Sequence, residues 1–236
     1  MSRAEERSVV LDGRTCHILR NGDAPGAMLY WGVMADAAEE RRVLAAQLPS
    51  EQPWTLAVFE AADWNRDFSP WPAPAAFGAA DFAGAGGETL DWLLRVCVPY
   101  VEADCAGERP RFLGGYSLAG LFSLWAFYES GAFTGAASCS GSLWYPDWEE
   151  YARNRCTPAH SRVYLSLGTR EEHTRNAVMA RVGGATRAQY DRLRADPNLD
   201  RCTLVWNPGG HFHDPVGRMA RGFTWLLCDG ATKAES

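Results

Sequence analysis

The sequence predicts a three-layer α/β fold built as one domain over residues 1–236: a mostly parallel sheet, an antiparallel N-terminal hairpin and helices on both faces. Three observations carry this. Short apolar runs bounded by Gly or Pro alternate with longer helical patterns, the mark of parallel strands joined by crossover helices. The first two apolar runs are separated only by Asp12-Gly13, a pair that suits a tight hairpin turn. The chain has 236 residues, 47% hydrophobic and 22% charged, and a domain of that size buries roughly 70 to 75% of its unfolded surface. It therefore needs no disulfide or metal to hold its core.

In chain order, residues 8–11 and 15–19 form the hairpin. Apolar runs at 27–33, 54–60, 111–115, 133–140, 162–168 and 202–207 read as buried parallel strands. Helical patterns fall at 36–48, 87–105, 118–129, 186–195 and, after the last strand, 215–227. No internal repeat or low-complexity linker divides the chain. Residues 63–87, rich in Pro, Gly, Ala and aromatics, read as a long ordered loop and a wall of the binding site.

With 23 Lys+Arg against 29 Asp+Glu the formal net charge is −6, which disfavours nucleic acid and anionic membrane as partners. A small-molecule ligand fits better. The N-terminal residues lack the apolar core of a signal peptide and no apolar run reaches membrane-spanning length, so a cytoplasmic location is expected. Seven cysteines without C-x-x-C spacing read as reduced, mostly buried thiols. No metal cluster, P-loop or dinucleotide fingerprint is present, and no cofactor is expected.

The chemistry centres on Gly115-Tyr116-Ser117-Leu118-Ala119-Gly120, where an apolar strand runs straight into an apolar helix. This is the pattern of a nucleophile elbow. The turn strains the serine backbone, so the residues two before and two after it must be small; Gly115 and Ala119 meet that demand. The turn holds the Ser117 hydroxyl above the sheet, with the Leu118 N–H at the helix start placed to donate to an oxyanion. The partners follow such a serine in the order acid, then histidine. His211, in Pro208-Gly-Gly-His after the last strand, is the base, while His213 precedes Asp214-Pro215, a helix cap. Two carboxylates compete for the acid on the loop after residue 168. Thr169 and Glu172 have capping-box spacing, which leaves Glu171 to orient the imidazole.

These residues resemble the esterase family of the α/β-hydrolase superfamily that holds the esterase D-like and enterochelin-esterase-like serine hydrolases. The resemblance spans most of the chain. It is carried by Asp63-Trp-Asn-Arg-Asp-Phe-Ser-Pro-Trp71, Gly114-Gly-Tyr-Ser-Leu-Ala-Gly-Leu-Phe122, Ser140-Gly-Ser-Leu-Trp144, Leu167-Gly-Thr-Arg-Glu171 and Gly209-Gly-His-Phe212. It implies an α/β-hydrolase fold and ester hydrolysis through an acyl-enzyme, with Ser117, Glu171 and His211 at the triad positions. It also implies a second oxyanion donor from the turn after the first parallel strand, around Gly32 and Val33.

Trp31, Trp64, Trp71 and Trp144 fall where strand C-terminal ends are expected, and Trp148 lies nearby in sequence. They are candidates for an aromatic wall around a small to medium ester, aromatic or siderophore-like. Core packing is the competing role for them. Arg66, Arg153 or Arg170 could meet a substrate anion. The same residues would also serve a thioesterase or acyltransferase, and a catalytically silent ligand-binding protein on this fold is the alternative from another class.

Overall fold

The computed structural model describes residues 5–22, 26–105 and 107–228. Strands β1 (Glu5–Leu11) and β2 (Arg14–Asn21) form the expected hairpin, each longer than its apolar signal. Asp12 and Gly13 turn it with φ of 46° and 80°, the positive pair that matches the twist of the flanking strands. After it come β3 (Ala27–Met34), β4 (Trp54–Ala61), the short pair β5 (Pro72–Ala73) and β6 (Phe82–Ala83), β7 (Arg111–Tyr116), β8 (Gly135–Cys139), β9 (Ser161–Gly168) and β10 (Leu199–Asn207).

The main sheet has the order β1-β2-β4-β3-β7-β8-β9-β10, antiparallel from β1 to β4 and parallel from β4 to β10. From β3 the chain steps outward to β4, then crosses back to β7 on the other flank of β3. The strand order reverses there, and in open α/β sheets ligands bind outside the carboxyl ends of the strands at that point. β7 lies in mid-sheet, and its carboxyl end sits beside that of β3.

The helices are α1 (Ala38–Gln47), α2 (Trp64–Asp67), α3 (Gly86–Trp92), α4 (Val98–Val101), α5 (Leu118–Ser130), α6 (Trp148–Arg153), α7 (Ala177–Ala180), α8 (Val182–Ala195) and α9 (Pro215–Leu227). α1 and α9 cover one face, where Leu44, Met219, Phe223 and Leu226 pack on Leu29, Val58 and Phe112. α3, α4, α5 and α8 cover the other, where Leu93, Leu121, Phe122 and Leu193 meet Tyr30, Phe59 and Leu113. α5 is buried without a break from Leu118 to Tyr128, as expected of a helix apolar on every side.

The continuous helix expected at 87–105 is interrupted: a π-helical turn, Leu93–Cys97, joins α3 to α4. Pro99 is the cause, because it has no N–H to return to Arg95. α8 begins four residues ahead of the expected start at 186, its first turn carrying Gly183 and Gly184, poor helix formers that hide it in the sequence. Residues 63–87 are ordered, as expected, but hold α2, β5 and β6.

At the opposite end of the sheet Glu102 ties α4 to β3 and β7. It accepts from the Tyr30 hydroxyl at 2.7 Å and from two nitrogens of Arg111 at 2.7 and 2.8 Å. Because the Arg111 fork survives without the phenol, Tyr30→Phe is expected to lower the unfolding free energy by only about 1 kcal/mol, measured by urea denaturation. An unchanged midpoint would show that the hydroxyl contributes nothing.

Candidate active site

Ser117 ends β7 and begins α5 with φ 58° and ψ −122°, a conformation that costs a non-glycine residue of order 1–3 kcal/mol. Its surroundings hold it there. Its N–H donates to the Cys139 carbonyl at 3.0 Å, and its carbonyl accepts from Gly120, Leu121 and Ser142 at 3.0, 3.1 and 3.0 Å. The small-residue demand is met by contact: a Cβ at Gly115 would lie 2.1 Å from the Ala119 carbonyl oxygen. The Leu118 N–H leads α5 and has no carbonyl four residues back within the helix.

The three residues singled out in the sequence come together. His211 Nε2 lies 3.0 Å from Ser117 Oγ, and His211 Nδ1 lies 2.8 Å from Glu171 Oε2. The His211 side chain keeps 22% of its surface exposed, whereas that of Glu171 keeps 4%. One end of the array therefore meets solvent and the other is shielded. Burial raises the pKa of the Glu171 carboxyl, but hydrogen bonds from His211, Ser140 and the Gly168 N–H outweigh it and hold the group below its ordinary value.

Glu172 does not form the capping box expected from the sequence. The Thr169 N–H is taken by the Asn207 carbonyl, and Glu172 is drawn to Arg187 of α8 in a two-pronged ion pair of 2.8 and 2.8 Å. Gly183 makes room for it, since a Cβ there would lie 1.9 Å from the carboxylate. His213 is exposed, and Asp214 caps α9 by accepting from the Gly217 N–H at 3.2 Å.

Sequence reasoning missed the residues that brace this array. Arg218 of α9 donates to Glu171 Oε1 and Ser140 Oγ, each at 2.8 Å, and Ser140 Oγ donates to Glu171 Oε1 at 2.7 Å. The Tyr116 hydroxyl donates to the His211 carbonyl at 2.6 Å, and burial pushes its pKa up to about 12. One signal was present: Arg218, Gly222 and Leu226 recur every fourth residue, which places an arginine on the inward stripe of α9.

Gly32 and Val33 lie inside β3, not in a turn, because β3 runs on to Met34 beside β4. Gly32 accommodates Phe68, whose ring a Cβ would approach to 2.7 Å. Trp31 pairs with Gly114 across β3 and β7, so Val33 is two residues further along, level with the end of β7. Trp64 sets its ring edge against Phe68. Trp71 donates to the Pro146 carbonyl at 3.0 Å, and Trp144 packs against Phe77, Phe82 and Tyr145. These side chains stitch residues 63–87 to residues 141–151. Trp144 and Trp148, with Arg153 and Arg181, also line a cavity of about 580 Å³ whose lining includes neither Ser117 nor His211. Among the described residues no group of three or more His, Cys, Asp or Glu could hold a metal ion, and no helix is long and apolar enough to cross a membrane.

No family model and no curated protein matches the chain. Solved structures do. The siderophore hydrolase EstA from Aspergillus nidulans superposes with a TM-score of 0.71 at 18% identity, over 95% of this chain and 93% of that one. An IroE-like serine hydrolase from Shewanella oneidensis gives 0.76 at 16% identity, over 94% and 80%. The enterobactin esterase FES from Shigella flexneri gives 0.69 at 17% identity, over 95% of this chain and 59% of its own. The chain has their α/β-hydrolase fold.

Two outcomes follow from the geometry. Gly115→Ala, forced against the Ala119 carbonyl, is expected to destabilise by about 3 kcal/mol or more, seen as loss of soluble protein or a lowered melting temperature. Because the fold depresses the Glu171 pKa below its ordinary 4.5, the stability gained from its ionised form is complete above that pH. It is lost as pH falls through the folded value. The stability difference between wild type and Glu171→Gln should therefore narrow below pH 4.5. A difference constant from neutral pH down to pH ~3 would contradict it.

Proposed function

We propose that the protein is a serine carboxylic ester hydrolase with Ser117 as nucleophile, His211 as general base and acid, and Glu171 as the orienting acid. One observation carries the reading: a hydroxyl on a positive-φ turn at a helix start, 3.0 Å from an imidazole whose far nitrogen is 2.8 Å from a buried carboxylate.

Ser117 Oγ attacks the ester carbonyl while His211 Nε2 takes its proton. The carbonyl oxygen becomes an oxyanion facing the Leu118 N–H and a second donor from the end of β3 near Gly32 and Val33. Collapse of the intermediate breaks the bond to the leaving alkoxide, which takes the proton from His211 and departs as the alcohol. Water, deprotonated by His211, attacks the acyl-serine; the proton returns to Ser117 Oγ and the carboxylic acid is released. Throughout, Glu171 fixes the imidazole tautomer and stabilises the imidazolium.

Support for an ester substrate comes from two of the structural neighbours, a siderophore hydrolase and an enterobactin esterase. Support for an apolar or aromatic group comes from Phe212. It is 91% exposed, and its ring stands edge-on to that of His211 at 5.2 Å. A small to medium ester of aromatic or siderophore-like type fits both.

The test is labelling with a fluorophosphonate and hydrolysis of an activated aryl ester. Wild type should label on Ser117, and Ser117→Ala and His211→Ala should each lower kcat by about 10⁴-fold or more. Unchanged turnover in Ser117→Ala would overturn the reading. Phe212→Ala should raise KM for an aryl ester by roughly 2- to 12-fold with kcat less affected, the range expected for one aromatic contact. Equal KM for aryl and short alkyl esters in wild type would argue against that contact.

A further inference from the structure

Four of the segments that build the site meet at one guanidinium. Arg218 has no exposed surface. Its Nη1 donates to Glu171 Oε1, to Ser140 Oγ and, at 3.2 Å, to the Tyr116 hydroxyl; its Nη2 donates to the carbonyls of Pro208 and Gly210 at 3.2 and 3.1 Å. These partners stand at the carboxyl ends of β7 and β8 and in the loops after β9 and β10.

We propose that Arg218 is a positioning residue for ester hydrolysis, holding Glu171 and the His211 loop in the mutual orientation that the base requires. This inference rests on the catalytic reading given above.

The two oxygens of Glu171 have different partners. Oε1 receives Ser140 Oγ, the Gly168 N–H at 2.7 Å and Arg218, whereas Oε2 faces His211 Nδ1. Three donors on one oxygen stop the carboxylate from turning and fix which oxygen meets the imidazole. Arg218 also braces the other partner. His211 sits on a turn with Gly209 at φ 90° and Gly210 beside it, and glycines give such a turn little stiffness of its own. Arg218 holds that turn by two carbonyls directly and by a third through Tyr116, whose hydroxyl donates to the His211 carbonyl.

Stability alone is a poor reason for this arrangement. Replacing a buried ion pair by apolar residues is often neutral or stabilising, and Arg218 Nε is buried with no hydrogen-bond partner. A side chain that costs desolvation and leaves a donor unused is better explained by orientation of the groups it touches.

A double-variant cycle tests this, using fluorophosphonate labelling and steady-state hydrolysis of an activated aryl ester. Arg218→Met should lower kcat by about 10²-fold, the scale of a misplaced reacting group, with KM within about twofold. In a Glu171→Gln background the same change should cost less than about threefold, because both substitutions disable one orientation. Effects that multiply in the double variant, or near-normal kcat in Arg218→Met, would overturn the proposal. If Arg218→Met does not fold, Ser140→Ala removes the hydroxyl shared by Arg218 and Glu171, and the same sub-multiplicative cycle with Glu171→Gln is expected; a multiplicative one overturns the proposal. Failure of wild type to label on Ser117 would overturn the hydrolase reading itself. A labelled wild type beside a fully active Arg218→Met would overturn only the role of Arg218.

Discussion

The site depends on a backbone conformation more than on any side-chain contact. Ser117 occupies φ 58°, ψ −122°, which a serine does not hold unaided. It is held because β7 and α5 are both buried and Gly115 lets the first turn of the helix press against the strand. Hydrogen bonds from the β8 side fasten the Ser117 N–H and carbonyl. Core packing supplies the strain, and the strain lifts the hydroxyl to where an imidazole from a distant loop can reach it.

Charge is arranged with similar economy. Glu171 is buried, and burial by itself would favour its neutral form, yet donors from His211, Ser140 and Gly168 keep it ionised. The neighbouring carboxylate, Glu172, is occupied by Arg187 on the flank of the domain and stays out of the array. Two adjacent glutamates thus have separate tasks, set by which side of a short 3-10 turn each faces.

Much of this was legible in the sequence. The hairpin, the six parallel strands, the strained turn at Ser117 and its pairing with His211 follow from local signals: Asp-Gly, apolar runs, a small-residue pattern around one serine and a glycine turn ahead of one histidine; Glu171 was reached by giving Glu172 a capping role that it does not have. What could not be read depends on side chains meeting across long sequence separations. Arg218 contacts Tyr116, Ser140 and Glu171 only after four strands are assembled. The fate of the tryptophans is similar: Trp71 finds the Pro146 carbonyl and Trp144 finds Phe82 through tertiary packing that no periodicity encodes. The break in the helix at 93–97 was legible in principle from Pro99, and the Thr169–Glu172 spacing misled because Arg187 is the stronger partner.

The stitching of residues 63–87 has a kinetic corollary. Besides the Trp71 bond to Pro146, Tyr145 donates its hydroxyl to the Trp71 carbonyl at 2.6 Å, and Asn176 donates to the Ala76 carbonyl at 2.7 Å. A segment fastened at several points along its length travels with the scaffold and does not swing over the opening as a lid. Turnover then need not wait on a gating motion of this segment, because moving it away would mean breaking these three hydrogen bonds at once.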